Sequence, residues 1–213
     1  MHKTLDSLKQ SLLDLDLDGT LAHARSILDG VAGVSAQEGV NAVAEALQVV
    51  GKRFQEGEWF VGELVYAGEI AKSAMQMLSP ALAAGATQRL GTIVVGTVAG
   101  DLHDLGKNIF VNFARSSGFE IIDLGVNVAT AQFVDAVKAH QPLAVGMSCL
   151  LTITAGAVGK VVEALRAAGV RDRVKVIIGG AALTEQFARE VAADAFAPDA
   201  VTGTDIVKRW SAA

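Results

Sequence analysis

The sequence predicts two domains of different class: a four-helix bundle over residues 1–88, then a doubly wound α/β domain with a five-stranded parallel sheet over residues 89–213. Three observations lead there. Apolar residues recur at helical spacing through residues 1–78. Residues 79–91, SPALAAGATQRLG, have the small-residue, Pro/Gly character of a linker. Beyond them, short β-branched runs alternate with helical stretches, the pattern of repeated β-α units.

In the helical half, Leu5, Leu8, Leu12 and Leu15 form the first stripe. The stretch DLDLDGTL, residues 14–21, follows. It copies the start of a calcium loop, but the twelfth position from Asp14 is Arg25, a cation where the metal needs a bidentate Glu. It also copies the opening of haloacid-dehalogenase-type phosphatases. There the first Asp ends a buried strand, whereas the residues before it here, Leu8-Lys9-Gln10-Ser11-Leu12-Leu13, are an amphipathic helix. The stretch reads as a turn in which Gly19 ends one helix and Asp18 or Thr20 caps the next. A third helix covers Ala36–Val50, with Ser35 and Glu38 spaced as a capping box. A fourth covers Val61–Leu78 and is stopped by Ser79-Pro80. Four such helices make a small bundle.

In the second half, strands are expected at 92–98, 119–123, 143–148, 174–178 and 194–197. Helices are expected near 105–117, 130–140, 155–168, 183–192 and 203–211. This is a flavodoxin- or Rossmann-like plan, and its ligands sit at the carboxyl ends of the strands. The residues that follow the strands are Asp101 and His103, Ser148 and Thr152, and Gly179-Gly180. The topology gathers them on one edge.

Composition narrows the function. The chain is 51% hydrophobic with a formal net charge of −5, and no basic cluster exceeds the pairs Lys52-Arg53 and Lys208-Arg209, so a nucleic-acid partner is not expected. The longest uncharged run, Leu143–Gly159, is short for a membrane span and reads as a buried strand entering a buried helix. The N-terminus is amphipathic and charged, unlike a signal peptide. A single cysteine, Cys149, rules out an internal disulfide and suits a reducing cytoplasm. It reads as a small core residue, with neither the basic partner nor the helix N-terminus that would activate a thiol.

The stretch GTVAGDLHDLGKN, residues 96–108, carries chemistry. An imidazole is a common neutral metal ligand, and its second ring nitrogen is usually held by a carboxylate. Asp101 and His103 point to the same side of an extended backbone, although direct contact between them requires a turn. Gly106 has no Cβ, so a bulky flat ligand could approach the backbone there. Zinc needs three or four protein ligands. Beyond His103 the chain has only His2, His23, His140 and Cys149 as histidine or cysteine ligands. One protein ligand suffices only for a metal that brings its own macrocycle. A dinucleotide is also excluded, since no G-x-G-x-x-G follows the first strand.

These residues carry a resemblance. GDLHDLGKNIF, GMSCLLT, IIGGAAL and FAPDA are similar to the signatures of cobalamin-binding domains. Residues 50–78, VGKRFQEGEWFVGELVYAGEIAKSAMQML, are similar to the helical cap that precedes such a domain in cobalamin-dependent methyltransferases, methionine synthase among them. Over about residues 35–205 the chain resembles the free-standing corrinoid proteins of methyltransferase systems.

The resemblance implies cobalamin (methylcobalamin or cob(I)alamin) bound with its own base displaced and His103 as the lower cobalt ligand. It implies Asp101 behind His103, with Leu102, Asp104, Leu105 and Gly106 completing the loop. Ser148 and Thr152 match contacts of the displaced nucleotide tail, Leu150 between them belongs to the same cofactor-binding motif, and Thr154 matches a hydroxyl of the Asp-His relay. Gly179 and Gly180 let the tail pass the backbone, and Ala200 contacts it further along. Phe54 and Val61 match the apolar cover of the corrin's upper face; read from the residues alone, they are ordinary bundle core. The sequence departs from the pattern at Gly62 (usually Pro), Val61 (usually Leu), Ala195 (usually Gly) and Phe196 (usually Tyr).

The implied role is a methyl carrier with no catalytic residue of its own. A substrate:corrinoid methyltransferase loads it, a second methyltransferase unloads it to tetrahydrofolate or a thiol, and a reductive activase restores it. Donors of this kind include methoxylated aromatics, methylamines, methanol and betaines, and the reading leans to O-demethylation. The alternatives are a cobalamin-dependent sensor or regulator, and a small adenosylcobalamin mutase subunit. The first normally carries an added DNA-binding domain, and this acidic chain begins its cap almost at once. The second does not need the helical cap of residues 35–78.

Overall fold

The computed structural model of the chain describes residues 3–31, 33–82 and 90–212. It divides into two compact units, Met1–Gln88 and Arg89–Ala213. Most of the linker expected over 79–91 falls at 83–89, outside the described residues.

The first unit consists of α1 (Lys3–Leu13), α2 (Leu17–Leu28), α3 (Ala36–Gln55) and α4 (Val61–Leu82). Leu8, Leu12, Ile27, Val43, Leu47, Val50, Leu64 and Ile70 are buried and form its core. The capping box is present: Glu38 N donates to Ser35 Oγ at 3.2 Å and Ser35 N to Glu38 Oε2 at 2.8 Å.

Three details differ from expectation. Leu15 leaves the helical stripe and turns the chain, with φ +58°. The cap of α2 is Asp16, whose Oδ1 accepts from Gly19 N at 2.9 Å. Gly19 therefore lies in the first turn of α2 and does not end α1; a Cβ there would sit 2.1 Å from Asp16 Oδ2, so the glycine clears space for the cap. Thr20 caps nothing. It is buried and donates from Oγ1 to Asp16 O at 2.7 Å. Finally, α4 runs past Ser79 and Pro80 to Leu82.

The second unit is β1 (Thr92–Thr97), α5 (Leu105–Ser116), β2 (Glu120–Asp123), α6 (Thr130–His140), β3 (Ala144–Ser148), α7 (Gly156–Ala167), β4 (Lys175–Gly179), α8 (Glu185–Glu190), β5 (Ala195–Ala197) and α9 (Ala200–Ser211). The five strands are all parallel, in the order β2-β1-β3-β4-β5. Alternation along the strands feeds two cores. Val94, Val145, Val176 and Ile178 pack with Phe133 of α6 and Val158, Val162 and Leu165 of α7. Ile93, Val95 and Ile177 pack with Val111 of α5 and Ile206 and Val207 of α9.

Every expected strand boundary is met within a residue. Among the helices, α9 starts at Ala200 because Asp199 caps it, accepting from Thr202 N at 2.7 Å. Helix α8 is shortened to Glu185–Glu190 behind its cap Thr184. Residues Thr152–Thr154 form a separate 3₁₀ turn before α7.

The strand order reverses between β1 and β3, and a crevice opens outside the carboxyl ends of strands at such a point. The loops that leave β1 and β3 flank it.

Candidate functional site

Asp101 spans this crevice. It is fully buried in the loop after β1, with its backbone N donating to Val98 O at 3.1 Å. Its Oδ1 accepts from His103 N at 3.0 Å and faces His103 Nδ1 at 2.7 Å. Its Oδ2 accepts from Leu150 N at 2.6 Å and Leu151 N at 3.1 Å, both in the loop after β3. Burial alone pushes the Asp101 carboxyl up. The backbone N–H groups of His103 and Leu150, the His103 ring and Leu151 N–H more than reverse this and hold it well below the usual carboxylate range. The turn that brings Asp101 and His103 together is therefore closed by the carboxylate itself.

The chemical consequence concerns the ring of His103. An ionised carboxylate only accepts, so in the neutral ring Nδ1 carries the proton and Nε2 keeps its lone pair. The side chain is 52% exposed. An outward, lone-pair-bearing Nε2 is what a metal requires. Among the described residues no group of three or more His, Cys, Asp or Glu side chains could hold a bare ion. A metal taken here must bring its other ligands.

Around the ring the loops expose apolar side chains. Leu102 is 70% and Ile153 88% exposed, and Leu105 and Leu150 are also largely exposed. Such residues at strand-end loops suit a flat, partly apolar ligand. A half-open cavity of about 140 Å³ lies between the sheet and helices α5 and α9. Ser148, Gly179, Gly180, Gly106 and Ala200 line it, together with Val95, Phe110 and Ile177. A Cβ on Gly106 would point into open space, whereas one on Gly180, at φ +116°, would fall 2.2 Å from Cys149 O. Gly106 therefore leaves room for a ligand, and Gly180 leaves room for the protein's own backbone.

The structure thus brings Asp101, His103 and Leu150 together at one point and Ser148, Gly106, Gly179, Gly180 and Ala200 at another. Thr152 stands exposed in the 3₁₀ turn and does not line the cavity. Thr154 Oγ1 lies 3.5 Å from Asp101 Oδ2, but its better partner is Leu151 O at 2.9 Å, so its proton is spent mainly there. Asp104 Oδ2 accepts from Asn108 Nδ2 at 3.0 Å at the start of α5. Cys149 is fully buried; burial pushes its thiol up, the Thr154 hydroxyl opposes this, and the Asp101 charge adds to it. In the helical unit, Phe54 is half-buried near the end of α3 and Val61 is exposed at the start of α4, beside the more exposed Phe60. Trp59 lies under Arg53, whose guanidinium carbon is 5.2 Å from the ring centre.

Sequence reasoning missed Thr97, whose Oγ1 donates to His103 O at 3.0 Å. It missed Asn127, whose Oδ1 accepts from Gly100 N at 2.7 Å. It also missed Lys107, buried on Asp123 at 2.7 Å. Ile153 carried a signal, an apolar residue in a loop just past a strand.

Comparison with known proteins decides the family. A B12 binding domain model matches residues 91–205, and a second B12 binding domain model matches residues 4–79. Dimethylamine corrinoid protein 2 of Methanosarcina mazei is 34% identical over 203 residues, covering 93% of this chain and 92% of that protein. The chain belongs to the B12-binding corrinoid proteins. A crystal structure of a cobalamin-binding protein from Desulfitobacterium hafniense is 41% identical, with a TM-score of 0.80 over 97% of this chain and 98% of that one. A methanol:cobalamin methyltransferase complex from Methanosarcina barkeri, at 22% identity, shares the fold, with a TM-score of 0.83 over 99% of this chain and 80% of that one. This corrinoid protein binds cobalamin, and the outward Nε2, the apolar loops and the adjoining cavity fit that cofactor.

No helix among the described residues is long and apolar enough to cross a membrane.

Proposed function

We propose that this corrinoid protein carries methyl groups between two methyltransferases, with cobalamin held by His103 and its own base displaced. The observation that carries the proposal is the locked imidazole: Nδ1 held at 2.7 Å by a buried, ionised Asp101, on a ring that is half-exposed. When bound, cobalamin supplies a cobalt centre that accepts and gives up a methyl group. The protein's residues do the rest. His103 would hold the cobalt, Asp101 would fix its tautomer and basicity, and Leu102, Leu105 and Leu150 offer apolar surface beside it. Ser148, Gly179, Gly180 and Ala200 receive the nucleotide tail in the cavity. Phe54 and Val61, at the end of α3 and the start of α4, would supply apolar cover that keeps water from a bound corrin.

The chain itself is not the catalyst in this proposal. A substrate:corrinoid methyltransferase loads it, a second methyltransferase acting on tetrahydrofolate or a thiol unloads it, and a reductive activase restores it, all in the cytoplasm. The names of its relatives support methylamines as the donor class, ahead of the O-methyl donors toward which the sequence leans.

The test is anaerobic reconstitution with hydroxocobalamin, desalting and cobalt analysis, followed by addition of a methylamine and its methyltransferase. Near-equimolar retained cobalt, a spectrum altered by His103→Ala, and methyl transfer only with the partner enzyme support the proposal. No retained cobalt overturns it.

A further inference from the structure

We infer that Thr97 and Asn127 are positioning residues for His103, fixing the loop backbone so that Asp101 meets the Nδ1 edge of the ring and Nε2 stays outward. The inference rests on His103 being the ligand, as proposed above.

Among the described residues the ring of His103 has one hydrogen-bonding partner, Asp101 Oδ1, and is otherwise half-exposed. A ring held at one point keeps its orientation only if the backbone at both ends of that contact is fixed. The loop from Val98 to Asp104 has no helix or strand of its own to do so. Thr97 fixes the far end. It is fully buried at the end of β1 and donates from Oγ1 to His103 O at 3.0 Å, six residues ahead.

Asn127 fixes the near end. It lies between β2 and α6 with φ +52°, a conformation Asn tolerates better than most residues. Its Oδ1 accepts from Gly100 N at 2.7 Å and its own N donates to Asp101 O at 2.9 Å. It therefore grips both ends of the Gly100–Asp101 pair. Gly100 has little room to shift, since at φ +85° even a Cβ would lie 3.0 Å from Thr154 Cγ2.

The two residues belong to one brace. Thr97 N donates to Gly125 O at 3.0 Å and Val128 N donates to Thr97 O at 2.9 Å. The β1–β2 ladder proper ends at Val95 and Asp123, so these bonds carry the contact between the end of β1 and the segment after β2 past that ladder.

Three variants separate positioning from folding. Thr97→Val keeps the shape and removes the hydroxyl. Asn127→Gly keeps the left-handed backbone and removes the side chain. Asn127→Asp keeps the acceptor oxygen. The readouts are the nitrogen-15 shifts of the His103 ring in cobalamin-free protein at one pH where the ring is neutral, and the Kd for hydroxocobalamin beside a His103→Ala control.

The wild type and Asn127→Asp are expected to show Nδ1 protonated. Thr97→Val and Asn127→Gly are expected to show mixed tautomers and about tenfold weaker cobalamin binding, the low end for loss of groups behind a metal ligand. Wild-type ring shifts and Kd in both variants would overturn the inference. So would a lowered melting temperature with unmoved ring shifts. Should Thr97→Val fail to fold, Asn127→Gly, in an exposed loop, decides alone. If His103→Ala binds cobalamin as the wild type does, the ligand reading fails, while the ring shifts still judge the brace.

Discussion

Asp101→Asn changes one atom in the most constrained part of the site. The carboxylate accepts from His103 N, His103 Nδ1, Leu150 N and Leu151 N at 2.6–3.1 Å in a fully buried position. An amide has a single oxygen, so one side of it must face donors. If the NH₂ faces Leu150 and Leu151, two buried N–H groups lose their acceptor; at about 1–3 kcal/mol each this is roughly 2–6 kcal/mol. If it faces His103, the His103 N–H is orphaned and the ring must accept at Nδ1. The proton then sits on Nε2, and the lone pair offered to cobalt is gone. Either placement is costly against a domain stability of about 5–15 kcal/mol.

The assay is urea unfolding followed by the fluorescence of Trp210 in α9, in a Trp59→Phe background so that only the α/β unit reports. Cobalamin retention is measured in parallel. pH gives a second readout. The folded-state carboxyl is held below its unfolded value of about 3.9, so its contribution is fully present above that pH and is lost as pH falls toward the folded value. The gap between wild type and Asp101→Asn should be flat near neutrality and narrow below about pH 4, by at most roughly 1.4 kcal/mol per pH unit for one proton. A gap under about 0.5 kcal/mol with cobalamin retention intact, or one that widens in acid, would mean that the Asp101 carboxylate does not hold the loop as described.

Three further outcomes follow from the geometry. Gly180→Ala places a Cβ 2.2 Å from Cys149 O at φ +116° and should cost about 3 kcal/mol or more, read as a fall in melting temperature. Lys107→Met leaves Asp123 without its buried partner. Because the Asp123 side chain is 26% exposed, the loss in urea unfolding should be about 2 kcal/mol, below the 3–5 typical of a fully buried pair. Cys149, the single thiol, should resist a thiol reagent at pH 8 until the α/β unit unfolds; rapid labelling of native protein would contradict its burial.

Much of this was legible in the sequence because it depends on local pattern. Buried parallel strands read as β-branched runs, as in β1 (TIVVGT) and β4 (KVIIG), and the regular alternation with helical stretches places β2, β3 and β5 between them. The Asp-x-His pair was legible because its chemistry lies within a few residues. What escaped depends on contacts distant in sequence or on competing caps. The spacing of DLDLDGTL offers several acids and hydroxyls as caps, and only the backbone reversal at Leu15 selects Asp16. The start of α9 was missed because Asp199 stood inside a motif read for its ligand contact and not as a cap. Thr97 looked like one more β-branched residue, and nothing local ties it to His103 O. The same is true of Asn127, which meets Gly100 only after β2 has paired with β1.

The central claim is that a protein imidazole, His103, takes the lower position on cobalt. The most direct measurement is the electron paramagnetic resonance spectrum of the cobalt(II) form, prepared with histidine uniformly nitrogen-15-labelled in the protein and natural-abundance cobalamin. The axial nitrogen splits each cobalt line, into a triplet for nitrogen-14 and a doublet for nitrogen-15. Ligation by His103 gives a doublet in labelled protein, a triplet in unlabelled protein, and no doublet in labelled His103→Ala. A triplet that persists in the labelled wild type would mean that cobalamin keeps its own base on the metal, contradicting the role assigned to His103.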